Sequence, residues 1–149
     1  MADNYKTTAL VAVKGDSERV SKKNIRPFGD TTLVDLKLKQ LIKSKSVDSI
    51  FVSSESDEIL NVCSEYEGVI CHKRDDYYSS PSVEMSEVYK YLASEIDSEI
   101  IMWVPVTNPL TKPTTYKQAM DNSLNLKTKM IVCLVVFQLM ITFSKTINH

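Results

Sequence analysis

Cysteine, glycine and histidine are scarce in this chain, and neither sign of charge dominates. Among 149 residues there are three cysteines, Cys63, Cys71 and Cys133, with no CxxC pair. An odd number without that spacing argues against a zinc site or a disulfide frame and fits a reducing, cytoplasmic setting. The net charge is −1, from 18 basic and 19 acidic residues. That excludes a general nucleic-acid binder, which carries a basic excess, so any anion site must be local. His72 and His149 have no partner at a useful spacing, and no Ser-His-Asp or Cys-His arrangement is present. Met1–Thr8 is polar and lacks the apolar core of a signal peptide. Neither an internal repeat nor a linker-like segment precedes residue 130.

What is present is the composition of one soluble globular domain: 43% hydrophobic and 25% charged residues, in a length that supports a real core. Each of the three glycines sits where a turn is expected. Gly15 follows an apolar run, Gly29 lies in Pro27-Phe-Gly-Asp30, and Gly68 ends a helical run.

The hydrophobic pattern alternates between strand and helix. Thr8–Val13 suits a central parallel strand. Leu33–Ser44 carries Val34, Leu38, Leu41 and Ile42 at helical spacing, with Thr32 and Asp35 placed as a capping box. Ser49–Ser53 reads as a second strand. Ser56 caps a helix with Asp57 and Glu58 in its first turn and Ile59, Leu60, Cys63 and Tyr66 turned inward. Val69–Cys71 is a third strand, and a helix through Val88, Tyr91 and Leu92 starts at Ser82 or Ser86. Ile100–Val104 is a fourth strand and Thr114–Ser123 a fourth helix. This order predicts βαβ units, hence an α/β, Rossmann-like parallel sheet with helices on both faces.

Ligands bind such sheets beyond the carboxyl ends of the strands. Four polar segments fall there: Lys14–Asn24, Ser53–Ser56, His72–Ser82 and Pro105–Lys112. The first follows an apolar strand and holds one glycine, amides and cations, which suits a phosphate-rich ligand. The remaining polar and aromatic signals have plainer explanations. Asp75 and Asp76 are read as solvated rather than metal-binding, Asp57 and Glu58 as dipole partners, Tyr89 and Tyr91 as cover for the helix–sheet interface, and Cys63 and Cys71 as core residues.

Lys14-Gly-Asp-Ser-Glu-Arg-Val-Ser-Lys-Lys-Asn24 resembles the signature Ala-Arg-Gly-Gly-Ser-Lys-Gly-Ile-Pro-x-Lys-Asn of the acylneuraminate cytidylyltransferases, or CMP-sialic acid synthetases. The likeness continues in order. Asn24-Ile-Arg-Pro-Phe-Gly-Asp30 is similar to the family's loop into its first helix. Phe51-Val-Ser-Ser-Glu-Ser-Asp-Glu-Ile59 resembles Val-Ser-Thr-Asp-Ser-Glu-Glu-Ile. His72-Lys-Arg-Asp75 onward, with Arg74 and Ser82, resembles Arg-Pro-x-x-Leu-Ala-x-Asp-Thr, and Trp103-Val-Pro-Val-Thr-Asn-Pro-Leu110 resembles Leu-Gln-Pro-Thr-Ser-Pro-Leu. The resemblance covers roughly residues 8 to 129 and implies a truncated fold of the nucleotide-diphospho-sugar transferase type.

The activity implied is transfer of CMP from CTP to the anomeric hydroxyl of an acidic sugar, with release of pyrophosphate and usually with Mg²⁺. By the same resemblance Lys14 and Lys23 are the catalytic cations. Lys14, Gly15, Ser17, Lys23, Asn24, Arg74, Ser82 and Asn108 form the nucleotide site, with Asn24 shaping the loop. Lys14 stands for an arginine and keeps its charge without the bidentate fork. Departures from the family pattern weaken the expected grip on CTP. Asp16 and Arg19 replace glycines, Glu18 replaces a lysine, and Pro105 replaces a glutamine that Asn108 stands in for only in part. Carboxylates beside a triphosphate repel it unless a cation intervenes.

Residues 130–149 depart from everything before them. Met130–Phe143 is a run of fourteen residues in which only Gln138 and Thr142 are polar. About twenty apolar residues are needed to span a bilayer, so a membrane anchor is disfavoured, and the run is too long and uniform for one buried strand. A shift of reading frame accounts for it. Restoring one T before Met130, with suitable codons, yields a continuation beginning Tyr-Asp-Ser-Leu, which resembles the family's own. The expected organisation is a nucleotide-binding domain over 1–129 and a non-family tail over 130–149. The resemblance places sugar-binding residues, the aspartates that hold Mg²⁺ and the dimer contacts in a second half that nothing here matches. The expectation is a chain weak or inactive alone; a non-catalytic CTP-binding module and a membrane-attached α/β domain stay open.

Overall fold

The computed structural model describes residues 5–17, 19–124, 130–133 and 141–144. Among these residues six strands form one sheet: β1 (Thr7–Ala12), β2 (Ser49–Ser54), β3 (Val69–Lys73), β4 (Ile100–Trp103), β5 (Met130–Cys133) and β6 (Ile141–Ser144). Their spatial order is β3-β2-β1-β4-β5-β6. The first five run parallel, and β6 pairs antiparallel with β5. Four helices connect them: α1 (Leu33–Ser44), α2 (Asp57–Ser64), α3 (Met85–Ser94) and α4 (Pro113–Leu124).

Both faces of the sheet are covered, as a parallel sheet requires. Alternate residues of each central strand go to opposite sides. Ala9, Val11, Ile50, Val52, Ile100 and Met102 join Val34, Leu38 and Leu41 of α1, Ile59 and Cys63 of α2, and Tyr116 and Met120 of α4. Leu10, Phe51 and Ile101 meet Val88 and Leu92 of α3 on the other face. The predicted helices on both faces are therefore present, three on one side and one on the other. β1 lies at the centre, with Leu10 opposite Phe51 on one flank and Trp103 on the other.

Local chemistry explains the helix ends that matter for the site. Thr32 Oγ1 accepts the Asp35 amide at 3.1 Å and donates to Asp35 Oδ2 at 2.9 Å. The pair thus caps α1 through the two side chains, a variant of the predicted capping box. Ser56 Oγ accepts the Ile59 amide at the start of α2. Pro113 opens α4 at the position where a missing N–H costs nothing.

Several expectations are corrected. α3 begins at neither Ser82 nor Ser86; Glu84 is its N-cap and makes no side-chain cap bond. Ile42 is 44% exposed and Cys71 is exposed, the latter because β3 is an edge strand covered less fully than its neighbours. Leu60 and Tyr66 are half-buried rather than buried. The apolar stretch after residue 129, read as too long for one strand, carries β5 and the first residues of β6; residues 1–4, Glu18, 125–129, 134–140 and 145–149, His149 among them, lie outside the described residues. No helix among the described residues is long and apolar enough to cross a membrane.

Candidate functional site

The loops after β1, β2 and β3 converge at the carboxyl edge of the sheet around a cleft of about 460 Å³. Its lining is Lys14, Asp16, Ser17, Arg19 and Ser21 from the first loop, Glu55 from the second, and Ser79 and Pro81 from the third. The volume lies within the range of small-molecule sites.

One ion pair, between buried Arg74 and half-buried Glu55, ties the three loops together. Arg74 is 3% exposed. Its Nη2 donates to Glu55 Oε2 at 2.7 Å and to the Val13 carbonyl at 2.9 Å, and its Nε donates to Ser79 Oγ at 2.9 Å. Glu55 Oε1 accepts the Gly15 amide at 2.7 Å, and Ser79 Oγ donates to Glu55 Oε2 at 3.2 Å. Burial by itself raises the Glu55 pKa, but the Arg74 hydrogen bond and the Gly15 and Glu55 amides outweigh it and hold the carboxyl below its ordinary value. Gly15 also has to be glycine: a Cβ there would stand 2.6 Å from Ser56 Cβ.

The first loop is closed by its own groups. Asp16 Oδ1 accepts the amides of Ser17 at 2.9 Å and Lys22 at 3.2 Å. Those two bonds, Lys22 first, lower the Asp16 pKa. Lys22 takes a left-handed conformation at φ 50°, unusual for a side chain with a Cβ, and its Nζ reaches Glu58 at 2.8 Å. Asn24 is 5% exposed. Its Nδ2 donates to the Lys14 carbonyl at 2.9 Å, and its own carbonyl accepts the Val34 amide, so it fastens the loop to the start of α1. Asn24 Oδ1 is buried with no hydrogen-bond partner.

Of the residues singled out in the sequence, Lys14 and Ser17 line the cleft. Gly15, Asn24 and Arg74 build its walls from behind. Lys23 is half-buried and is not among the lining residues, and Ser82 is exposed, its Oγ paired with Ser80 Oγ at 2.8 Å while Ser79 and Pro81 take the cleft positions. Asn108 lies on the β4–α4 loop, also outside this lining. Glu55 is the residue that sequence reasoning missed, although the segment holding it was recognised. Its partners are 40 and 19 residues away in the chain, and only its place after a strand marks it. Asp16, expected to repel a triphosphate, is spent in part on closing the loop.

His72 sits outside the cleft, on the face covered by α3. Its Nδ1 is 3.1 Å from Ser53 Oγ, its Nε2 is 3.6 Å from Glu95, and its ring stacks on Phe51. Ser53 is fully buried there, and these contacts give His72 a packing role on that face, apart from the cleft lining. Asp75 caps a short 3-10 turn through the Tyr77 amide. Among the described residues, no three His, Cys, Asp or Glu side chains come together as metal ligands. The two carboxylates in the cleft, Asp16 and Glu55, are already engaged by amides and Arg74, so these residues do not fit a divalent ion.

Similarity to known proteins agrees with this geometry. The chain is 28% identical over 116 residues to an N-acylneuraminate cytidylyltransferase of Oncorhynchus mykiss, covering 76% of this chain and 26% of the relative. It is 23% identical over 138 residues to a pseudaminic acid cytidylyltransferase of Campylobacter jejuni, covering 89% and 60%. It therefore spans between a quarter and three-fifths of these relatives' length. Its fold matches a CMP:2-keto-3-deoxy-manno-octonic acid synthetase complexed with CTP, with a TM-score of 0.65 at 9% identity over 80% of this chain and 48% of the other. A Mycobacterium tuberculosis protein solved in complex with manganese matches with a TM-score of 0.62 at 17% identity, over 86% and 64%. Residues 8–144 match the family described as cytidylyltransferase, and the chain belongs to that family.

Proposed function

We propose that this chain is the nucleotide-binding part of an enzyme that transfers CMP from CTP to an acylneuraminate-type acidic sugar, releasing pyrophosphate. The observation that carries the reading is the convergence of Lys14, Ser17 and Arg19 on a cleft whose wall is braced by the Arg74–Glu55 pair. In such a transfer the sugar hydroxyl oxygen bonds to the α-phosphorus of CTP, the bond to the pyrophosphate oxygen breaks, and the hydroxyl proton is lost. The work of the protein is alignment and neutralisation of charge. Lys14 and Arg19 supply local positive charge in a chain of net charge −1. Asp16 and Glu55, by accepting the Ser17, Lys22 and Gly15 amides, and Asn24, by donating to the Lys14 carbonyl, hold in shape the loop that carries Lys14 and Arg19. Lys23, at the far end of the same loop and outside the cleft lining, is a third cation within the loop.

Acidic sugars are named for the curated relatives, and the sugar class rests on those names. A divalent ion is expected with the nucleotide, as manganese accompanies one structural relative, but its ligands would come from outside the residues described. The unpaired thiols of Cys63 and Cys71 suit a cytoplasmic location.

Titration of the full chain with CTP, ATP, GTP and UTP tests the reading. Selective CTP binding in the high-micromolar to millimolar range is expected, weakened by the acidic first loop. No selectivity for cytosine at millimolar nucleotide would sink it. A second reading, nucleotide binding without turnover, is favoured by the engagement of both cleft carboxylates. It predicts CTP binding but no pyrophosphate on addition of N-acetylneuraminate and Mg²⁺.

A further inference from the structure

Lys37 belongs to none of the cleft loops, yet it is wholly buried between α1 and α4. Among the described residues its ammonium has no carboxylate partner within ion-pair distance. Its three bonds go to neutral acceptors: Gln40 Oε1 at 2.8 Å, the Asn108 carbonyl at 2.7 Å and the Tyr116 hydroxyl at 2.5 Å. An ammonium has three donors, and all three are placed. Burying a cation on neutral acceptors is costly, and an apolar side chain of similar length would fill the same space without that cost.

The destination of the bonds gives the cost a purpose. The Asn108 carbonyl lies in the β4–α4 loop, and the next carbonyl, that of Pro109, accepts Gln40 Nε2 at 2.7 Å. Two side chains one turn apart on α1 therefore grip two successive carbonyls of that loop. Besides these two bonds, the Thr111 amide donates to the same Asn108 carbonyl at 3.4 Å. Leu110 is 90% exposed, and no apolar side chain from Thr107 to Leu110 is buried. Among the described residues no hydrogen bond occupies the side-chain amide of Asn108, which stands at the carboxyl edge of the sheet beyond β4, where ligands of such sheets bind.

We propose that Lys37, with Gln40 beside it, is a positioning residue that fixes the β4–α4 loop and thereby presents Asn108 to the nucleotide. The inference rests on the nucleotide reading above. It extends the site to a fourth loop held by a residue that touches no ligand.

Lys37→Met in the full chain tests it by two readouts: hydrogen exchange of the Thr107–Lys112 amides in the free protein, and affinity for CTP. Exchange in that loop is expected to rise about tenfold while the amides of β1 and β2 keep their protection, and CTP affinity to fall about tenfold. Gln40→Leu should move both readouts the same way by a smaller factor, and it carries the comparison if Lys37→Met does not fold. Unchanged loop exchange, or faster exchange with unchanged CTP affinity, overturns the proposal. A native chain that binds no CTP while Lys37→Met still loosens the loop leaves the clamp standing and removes the nucleotide reading. A native chain that binds CTP, with variants that bind it equally, does the reverse.

Discussion

At the scale of single residues, two charged side chains, half-buried Glu55 in the cleft wall and buried Lys37 behind it, answer to pH in opposite ways. Removing Glu55 leaves Arg74, 3% exposed, without its carboxylate. Glu55→Ala is therefore expected to cost about 3 kcal/mol in urea unfolding at neutral pH, and Glu55→Gln, which keeps an acceptor, about half of that. Because the folded carboxyl titrates below its ordinary value, its contribution is present above the unfolded pKa and is lost as pH falls through the folded one. The gap between native chain and Glu55→Ala should close in acid; a gap that stays constant would mean the charge of Glu55 contributes nothing. Lys37 behaves the other way. Burial lowers its pKa from 10.5 to about 8. Between those values the unfolded chain holds a proton that the folded chain has released, so stability rises with pH across that window, by at most on the order of 3 kcal/mol. Compared with Lys37→Met, the native chain should gain stability from pH 7.5 to 10, and parallel stability curves would refute this. Lys37 also shows what in the site was legible. Val34, Lys37, Leu38 and Leu41 follow the i, i+3, i+4, i+7 spacing of a buried helix face; the reading of that helix passed over Lys37, although it was marked by its neighbours. Glu55 was not, because its bonds join segments distant in the chain.

At the scale of elements, strand and helix positions were legible where apolar period and punctuation agree. Leu33–Ser44 is read identically from sequence and structure because Thr32 caps one end and a left-handed residue, Lys45, stops the other. β1 and β2 shift by no more than one residue from their predicted spans. α3 failed at its start because Ser82 and Ser86 both look like caps, while the helix forms from Met85 under packing of Val88 and Leu92. Its first turn thus has no side-chain acceptor, since Glu84 at the N-cap makes no cap bond. Glu84→Asp shortens the side chain so that its oxygen reaches the free amides of that turn. The substitution is expected to raise stability by about 0.5–1 kcal/mol, read as a higher urea midpoint at unchanged slope. A midpoint that falls would show that the chain around Glu84 cannot adopt capping geometry. The site loops were legible as a set because all lie beyond the carboxyl ends of strands, a consequence of topology that needs no single motif. Which of their residues face the cleft was not legible, since loop conformation depends on bonds such as Asp16 to the Lys22 amide.

At the scale of the whole molecule, the open question is how residues 130–149 relate to the rest. β5 pairs with β4 through Met130–Cys133, and β6 returns beside it. The family match runs through the same segment, to residue 144. Strand pairing is backbone chemistry, and the edge of a parallel sheet accepts almost any apolar, β-favouring run. Pairing there therefore does not distinguish a native fifth strand from an apolar run produced in a shifted frame. Composition favours the second, against the family match: the ordered resemblance read up to residue 129 gives way to a run that is nearly all apolar. Methionine has a single codon, ATG, and in the shifted frame this admits Tyr-Asp at the point where the resemblance calls for it. We propose that the frame shifts before Met130. The DNA from about codon 120 to several hundred bases past the stop, read in all frames, should continue in an adjacent frame with a segment like Tyr-Asp-Ser-Leu and later supply paired aspartates. Those aspartates would provide the acidic ligands that Asp16 and Glu55, already engaged in the cleft, do not, and the restored chain is expected to release pyrophosphate from CTP faster than the present one. If every frame closes soon after His149, the apolar run is part of the working protein, and CTP binding without turnover becomes the account that fits the cleft.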